Sequence, residues 1–170
     1  MTKLLSDKEV IQKVLDQISD KTTDLGDQTW RESVDNYRSE KRFSTELDLF
    51  QRLPIVFCPS AALAKSGSYV ARDVGGVPLL AVRGKDGVVR TFYNSCRHRG
   101  MILAEGSGNA SKFICRYHAW AYGLDGNLLN VSGNEGFPDL DKNSHGLIEV
   151  ETQEKCGLIF VTQKKAISDG

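Results

Sequence analysis

Two short segments, each holding one cysteine and one histidine, constrain the fold of this chain more than any other feature. The first reads CRH and pairs Cys96 with His98; the second reads CRYH and pairs Cys115 with His118. Together they take two of the chain's three histidines and two of its four cysteines. Two thiolates and two imidazoles make a complete coordination shell, so the fold is expected to bring both segments to one point.

This donor set suits two kinds of metal site. One is a single tetrahedral zinc ion, and the other is a [2Fe–2S] cluster in which histidines replace two cysteines on one iron. Zinc modules usually group their cysteines in one half-site and their histidines in the other. Here each segment offers one sulfur and one nitrogen, which favours a two-iron cluster, and zinc remains the alternative.

Charge and hydropathy narrow the class of protein further. The 170 residues carry 22 basic and 22 acidic side chains, and the sequence pI is near 6.8. This balance gives no electrostatic attraction to nucleic acid or to an anionic membrane. The amino-terminal segment has no apolar run of the signal-peptide kind, and no later run is long enough to span a membrane. The sequence therefore predicts a cytoplasmic protein without nucleic-acid or membrane partners.

Helical patterns occupy the amino-terminal part of the chain. Ser6 followed by Glu9 is a capping box, and apolar residues at helical spacing predict a helix over residues 6–19. A polar linker at 20–28 follows. A second helical region is predicted over 30–52, strongest from residue 44, until Pro54 ends it.

Beyond Pro54 the apolar pattern becomes that of β-strands. The runs are separated by dipeptides typical of hairpin turns, namely GG at 75–76 and DG at 86–87 and 125–126. Strands are predicted at 55–58, 68–74, 77–83, 88–94 and 112–115, within 119–131, and within 146–153 and 156–163. Both ligand segments then follow strands, which would hold their donor atoms rigidly. The segment 132–146 is expected to be irregular, with His145 in an exposed turn.

The remaining two cysteines, Cys58 and Cys156, have apolar neighbours in the sequence. In a reducing compartment such residues are expected to be buried free thiols rather than a disulfide.

The stretches CRHRG and CRYHAWAY resemble the Rieske family, whose motif is Cys-x-His, a spacer, and Cys-x-x-His. The flanking sequences DVGGVPLLAVRGKDGVVRTFYN and GFPDLDKNSHGLIEV resemble the amino-terminal domain of the large (alpha) subunit of ring-hydroxylating oxygenases, over about residues 30–165. The resemblance implies a mainly β fold: a Rieske-type antiparallel β-sandwich with a two-loop cluster-binding subdomain, at about 92–125, and an N-terminal helical lead.

The resemblance also implies roles for individual residues. One Rieske-type [2Fe–2S] cluster is expected, with Cys96 and Cys115 on the buried iron and His98 and His118 on the outer iron. The resemblance further implies that five other residues lie close to the cluster without binding it: Arg97, Arg99, Gly100, Tyr117 and Trp120.

Some positions depart from related proteins. Respiratory Rieske proteins carry two further cysteines, which form a disulfide, where this chain has Met101 and Tyr117, and a serine where it has Trp120. Fewer hydrogen bonds to sulfur predict a low midpoint, roughly −150 to 0 mV, within the Rieske range of about −150 to +300 mV. The oxygenase family often has proline and glycine where this chain has Arg116 and Ala119. A methyl group next to His118 is expected to tighten or distort the second loop.

Function follows from this site. The chain is expected to be an oxidoreductase component that transfers single electrons, as the Rieske part of a ring-hydroxylating oxygenase system. The catalytic iron of those enzymes needs two histidines and a carboxylate. Only His145 follows His118, so no complete dioxygenase active site is expected in this chain.

Two other functions remain open, a free-standing Rieske ferredoxin and a zinc-stabilised binding module. The helical lead favours the oxygenase reading, because dedicated ferredoxins of this type begin almost directly with the strands. The expected organisation is an N-terminal helix and linker at 1–28, a Rieske domain at 29–165 and a polar tail at 166–170. The expected partners are a reductase or ferredoxin as electron donor and an oxygenase catalytic domain as acceptor, with a homo-oligomer possible.

Overall fold

The computed structural model describes residues 4–26 and 28–164, so the predicted polar tail at 166–170 lies outside the described residues. The chain divides into two compact units, Met1–Ser39 and Glu40–Gly170. No helix in the described part of the chain has both the length and the apolar character needed to cross a membrane.

The first unit contains the helix α1 (Asp7–Ser19) and the one-turn helix α2 (Asp35–Arg38). The predicted capping box is confirmed: the Glu9 N–H donates to the Ser6 hydroxyl, and the Glu9 carboxylate accepts from the Ser6 N–H at 2.7 Å. None of the residues of α1 is buried.

The second unit begins with α3 (Glu40–Arg52) and continues into ten strands among the described residues. These strands are β1 (Ile55–Pro59), β2 (Ser68–Val74), β3 (Val77–Arg83), β4 (Val89–Tyr93), β5 (Gly106–Asn109), β6 (Phe113–Ile114), β7 (Ala121–Tyr122), β8 (Leu128–Asn130), β9 (Glu149–Lys155) and β10 (Leu158–Thr162). Short 3-10 helices lie at Ser60–Leu63, Asn134–Gly136 and Lys142–His145.

All strand pairs are antiparallel. Seven strands form one sheet in the order β1-β10-β9-β4-β3-β2-β5, and three form a small sheet in the order β6-β7-β8. The fold is thus mainly β with an N-terminal helical lead, as predicted for the Rieske class. The first ligand segment leaves the large sheet after β4, and the second connects β6 with β7.

Two hairpins use the same four-residue turn, GKDG at 84–87 and GLDG at 123–126. In each, the aspartate (Asp86 or Asp125) accepts at 3.1 Å from the backbone N–H two residues later. The last glycine has a left-handed φ of +79° at Gly87 and +82° at Gly126. Glycine adopts this conformation without a steric cost, so the sequence alone determines both turns.

Successive side chains of β3 face two different hydrophobic cores. Leu79 and Ala81 face a core formed within the large sheet with Phe57, while Leu80 and Val82 face a second core. This second core contains both ligand cysteines, together with aromatic residues of the small sheet. A strand buried on both faces reads as a continuous apolar run, which is the pattern VPLLAV.

Three details differ from expectation. β5 is a strand in a segment rich in Gly, Ser and Asn; it pairs with β2, and Gly108 lies against Tyr69, whose Oη would be 3.0 Å from a Cβ at that position. The helical region predicted over 30–52 is helical only in α2 and α3, because its first residues precede α2 and Ser39 is extended. Cys58 is a buried free thiol, but Cys156 is exposed in the β9–β10 turn, with a φ of +51°.

Candidate metal centre

The first ligand segment is a tight turn closed on its own cysteine. The Gly100 N–H donates to the Cys96 carbonyl at 2.8 Å, and the Cys96 N–H donates to the Met101 carbonyl at 2.8 Å. These two bonds fix the five residues that follow Cys96, so the sulfur and the imidazole of His98 project from a single rigid loop.

The second segment repeats this construction. The Ala119 N–H donates to the Cys115 carbonyl at 3.0 Å, and the Cys115 N–H donates to the Trp120 carbonyl at 2.8 Å. Each turn therefore has a left-handed residue four positions after its cysteine, Gly100 with φ of +75° and Ala119 with φ of +54°. Alanine is strained in this conformation, by roughly 1–2 kcal/mol. The turn nevertheless retains both hydrogen bonds, so the expected distortion is confined to a strained backbone angle.

The two turns bring their side chains together. The thiols of Cys96 and Cys115 are each 3% exposed, and neither is in a disulfide. The imidazole rings of His98 and His118 are half-buried and lie in contact, with their centroids 4.7 Å apart at 62°. The structure thus brings the two predicted histidine ligands into contact and places both predicted cysteine ligands in one core.

The donor atoms have the chemistry that a histidine-ligated cluster requires. Within the described residues, the Nδ1 atom of His118 is buried without a hydrogen-bond partner, which leaves its lone pair available. Partial burial, with smaller contributions from His118 and Arg99, lowers the pKa of His98 and favours the neutral imidazole that binds metal. In the same described part of the chain, no three His, Cys, Asp or Glu side chains are gathered closely enough to hold one metal ion.

Aromatic rings cover both histidines. Trp120, which is 2% exposed, stacks on His98 with a centroid separation of 4.8 Å and an angle of 9°. Tyr117, which is 55% exposed, stacks on His118 at 3.8 Å and 25°, and the Arg99 guanidinium lies 5.9 Å from the Tyr117 centroid. Trp120 and Tyr117 therefore lie beside the two predicted histidine ligands, and Arg99 lies beside Tyr117.

Tyr122 is a site residue that the sequence reasoning missed. Its hydroxyl lies 3.3 Å from Cys96 Sγ and accepts a hydrogen bond from the Arg97 N–H at 3.0 Å. Burial, followed by the hydrogen bond with Cys96, raises the pKa of Tyr122, so the phenol keeps its proton and donates to a Cys96 thiolate. A buried tyrosine normally finds a polar partner, and this was the available signal.

Asn94 is a second missed residue, and it braces the first ligand turn. Its side-chain amide donates to the Ala104 carbonyl at 2.7 Å and accepts from the Leu103 N–H at 3.0 Å. The Asn94 side chain therefore connects the backbone before the first ligand turn to the backbone after it, and this holds the two ends of the turn together.

His145 was expected in an exposed turn, but it is half-buried. Its ring contacts Trp120 at 6.4 Å between centroids, and its Nδ1 lies 2.8 Å from the Asp141 carbonyl oxygen. It packs against the rings around His98 because the segment after β8 folds back over them.

The sequence of this chain matches the model of a known protein family. The profile of the Rieske [2Fe-2S] domain matches residues 54–141, a range that contains all four predicted ligands.

Curated relatives come from oxygenase systems. The chain is 36% identical over 136 residues to the carnitine monooxygenase oxygenase subunit of Escherichia coli K12, covering 79% of this chain and 36% of that protein. It is 41% identical over 133 residues to the chlorobenzene dioxygenase subunit alpha of Cupriavidus sp. PS12, covering 72% and 30%. The chain spans about a third of the length of these relatives.

Solved structures agree with the sequence relatives. A quaternary ammonium Rieske monooxygenase in complex with L-carnitine superposes with a TM-score of 0.76 at 32% identity, over 84% of this chain and 41% of that one. Naphthalene 1,2-dioxygenase with indole in its active site superposes with a TM-score of 0.65 at 31% identity, over 70% and 28%.

Proposed function

This chain belongs to the Rieske [2Fe–2S] domain family, and we propose that Cys96 and Cys115 bind one iron of its cluster while His98 and His118 bind the other. The observation that carries this assignment is a pair of equivalent turns, each beginning with a buried free cysteine, whose two imidazoles lie in contact. The unpartnered Nδ1 of His118 supports it, since a buried nitrogen lone pair otherwise lacks any stabilising contact.

A Rieske cluster, when bound, accepts and releases one electron at a time at about −150 to +300 mV. The protein tunes this exchange through its own groups. Two neutral imidazoles in place of two thiolates make the site less negative, which favours the electron. The exposed side chains of Arg97, Arg99 and Arg116 add positive charge near the ligands and would attract an acidic partner surface.

We further propose that the chain acts as the Rieske part, residues 29–165, of a ring-hydroxylating or related oxygenase large subunit. Relatives named as oxygenase or alpha subunits, in monooxygenase and dioxygenase systems, support this. The electron would come from a reductase or ferredoxin and leave to an oxygenase catalytic domain. One similar structure is described in terms of inter-subunit electron transfer, which supports an acceptor on a second copy of the subunit.

Metal analysis of the purified chain tests the proposed ligands. We expect two irons and two acid-labile sulfides per chain, and an EPR signal of the reduced protein with the low average g value of histidine-ligated clusters. Stoichiometric zinc with no EPR signal would contradict the proposal.

A matched pair of cysteine variants sharpens this test. Cys115→Ser should abolish the EPR signal and most of the bound iron, because a thiolate ligand is lost. Cys156→Ser, which alters an exposed cysteine on the β9–β10 turn, should retain both. Equal iron in the two variants would contradict the role of Cys115.

A further inference from the structure

The two histidines have different surroundings. His98 contacts two rings besides His118: Trp120 stacks on its face, and Phe137 meets it edge-on with centroids 5.6 Å apart at 90°. Phe137 also meets Trp120 edge-on, at 5.6 Å and 81°. The three rings therefore contact one another pairwise, and we call Trp120 and Phe137 the His98 clamp.

Phe137 is itself held in place by its own segment. Its N–H donates to the Asn134 carbonyl at 3.0 Å, and its carbonyl accepts from the Leu140 N–H at 3.2 Å. Both Phe137 and Leu140 are partly buried against the core that contains the ligand cysteines. The backbone of Phe137 is therefore hydrogen-bonded in both directions along the chain, and its ring packs on the core.

The ring stacked on His118 differs from the ring stacked on His98. It is Tyr117, which is 55% exposed, whereas Trp120 of the clamp is 2% exposed. His98 is therefore stacked on a buried ring that Phe137 also contacts, and His118 is stacked on an exposed ring.

We propose that Phe137 is a positioning residue for the centre, acting with Trp120 to fix the ring plane of His98. This inference rests on the proposed ligation of the cluster by His98. A ligand imidazole is oriented by the groups around it, and loss of a hydrogen-bonded group of this kind typically weakens metal binding about 10–100-fold. Edge-to-face and stacked contacts are the arrangements that aromatic rings prefer, so the clamp defines one orientation of the ring. The segment after β8 is then part of the cluster site, although it supplies no ligand.

The test compares two truncations in this segment. Phe137→Ala removes the edge contact with His98, whereas Leu140→Ala removes an apolar side chain that packs on the same core and has no aromatic ring. Both are loaded with iron and sulfide, and two quantities are measured at one pH: the EPR linewidth of the reduced protein and the rate of iron loss to a chelator.

We expect Phe137→Ala to broaden the EPR signal and to lose iron about tenfold faster than the unmodified chain. Leu140→Ala should stay within about twofold of it, and Phe137→Tyr, which restores a ring, should recover the narrow signal. Phe137→Leu keeps apolar volume without a ring and should behave like Phe137→Ala, which provides a second test if the alanine variant does not fold.

The failures are distinguishable. If the unmodified chain takes up no two-iron cluster, the proposed ligation is wrong. If it does, and the Phe137 variants match Leu140→Ala in linewidth and in the rate of iron loss, the positioning role is wrong.

Discussion

At the scale of single residues, the hydrogen bond from Tyr122 to Cys96 changes the electrostatics expected from the sequence. The absence of the serine found in respiratory proteins predicts a low midpoint, but the Tyr122 hydroxyl lies 3.3 Å from the sulfur of Cys96, a proposed ligand, and can donate to its thiolate. A hydrogen bond to the sulfur stabilises the more negative, reduced state more than the oxidised one. Tyr122 therefore opposes the lowering caused by the missing serine.

Removing this hydroxyl should lower the midpoint. A differential stabilisation of about 1 kcal/mol corresponds to roughly 40 mV for one electron. We expect Tyr122→Phe to shift the midpoint down by about that amount in a redox titration at fixed pH.

The control is Tyr93→Phe, because the Tyr93 hydroxyl donates to the Gln163 carbonyl at 3.0 Å and not to sulfur. This variant should leave the midpoint unchanged. An unchanged midpoint in Tyr122→Phe would mean that the phenol does not donate to the cluster ligand.

The strained backbone of Ala119 gives a second residue-scale prediction. Ala119→Gly should stabilise the loaded protein by up to about 1 kcal/mol, because relief of about 1–2 kcal/mol of strain is partly offset by the greater entropy of glycine in the unfolded chain. The measurement is thermal unfolding, where such a change raises Tm by roughly 2–4 °C.

Ala64→Gly is the matched control, since Ala64 is also exposed but has a φ of −66°. It should lower Tm instead. A lower Tm for both variants would show that the Ala119 methyl group makes stabilising contacts that outweigh its strain.

At the scale of elements, the β3–β4 hairpin contains a titratable pair at its turn. Hydrogen bonds from the Arg90 guanidinium and then from the Val88 N–H lower the pKa of Asp86 from 3.8 to about 2. The folded value lies below the unfolded one, so the carboxylate stabilises the hairpin above about pH 4. That contribution is lost as the pH falls through about 2.

An NMR titration of the Asp86 carboxyl should therefore give a midpoint near 2. Arg90→Gln should raise that midpoint toward 3.8, the ordinary value, because the main donor is removed. A midpoint already near the ordinary value in the unmodified chain would be inconsistent with the ion pair.

For the second unit as a whole, the two hydrophobic cores have different relations to the metal centre. The core around Phe57 and Leu79 contains none of the four proposed ligands, whereas the core around Phe92 contains Cys96 and Cys115. The large sheet therefore packs partly on a core without any proposed ligand, whereas both ligand turns pack on the core that contains Cys96 and Cys115.

Cluster removal should expose this difference. After chelation of the iron, amides of the two ligand turns, such as Gly100 and Ala119, should exchange their hydrogens faster, while amides paired between β2 and β3 keep their protection. Hydrogen exchange read by mass spectrometry measures both. Equal loss of protection throughout would indicate that the whole unit folds only with its cofactor.

Local features could be predicted from the sequence because their causes are local. The donor set, the capping box at Ser6 and the two GxDG turns depend on residues within a few positions of one another. The strands β2 and β3 were predicted with their observed bounds, since alternation and turn glycines define them. The proposed ligands follow from residue type and spacing alone, without reference to any contact in the fold.

Only the tertiary structure decided which distant side chains complete the centre. Tyr122 reaches Cys96, Phe137 reaches His98, and the Gly-rich segment Gly106–Asn109 becomes a strand by pairing with β2. Each of these contacts joins positions whose proximity depends on how the strands pair and curve, and no local pattern encodes it. The sequence by itself determined that two loops each carry one cysteine and one histidine, the residues proposed as ligands. Folding determined how deeply the cysteines are buried, how firmly the two turns are held and which hydrogen bonds reach the centre.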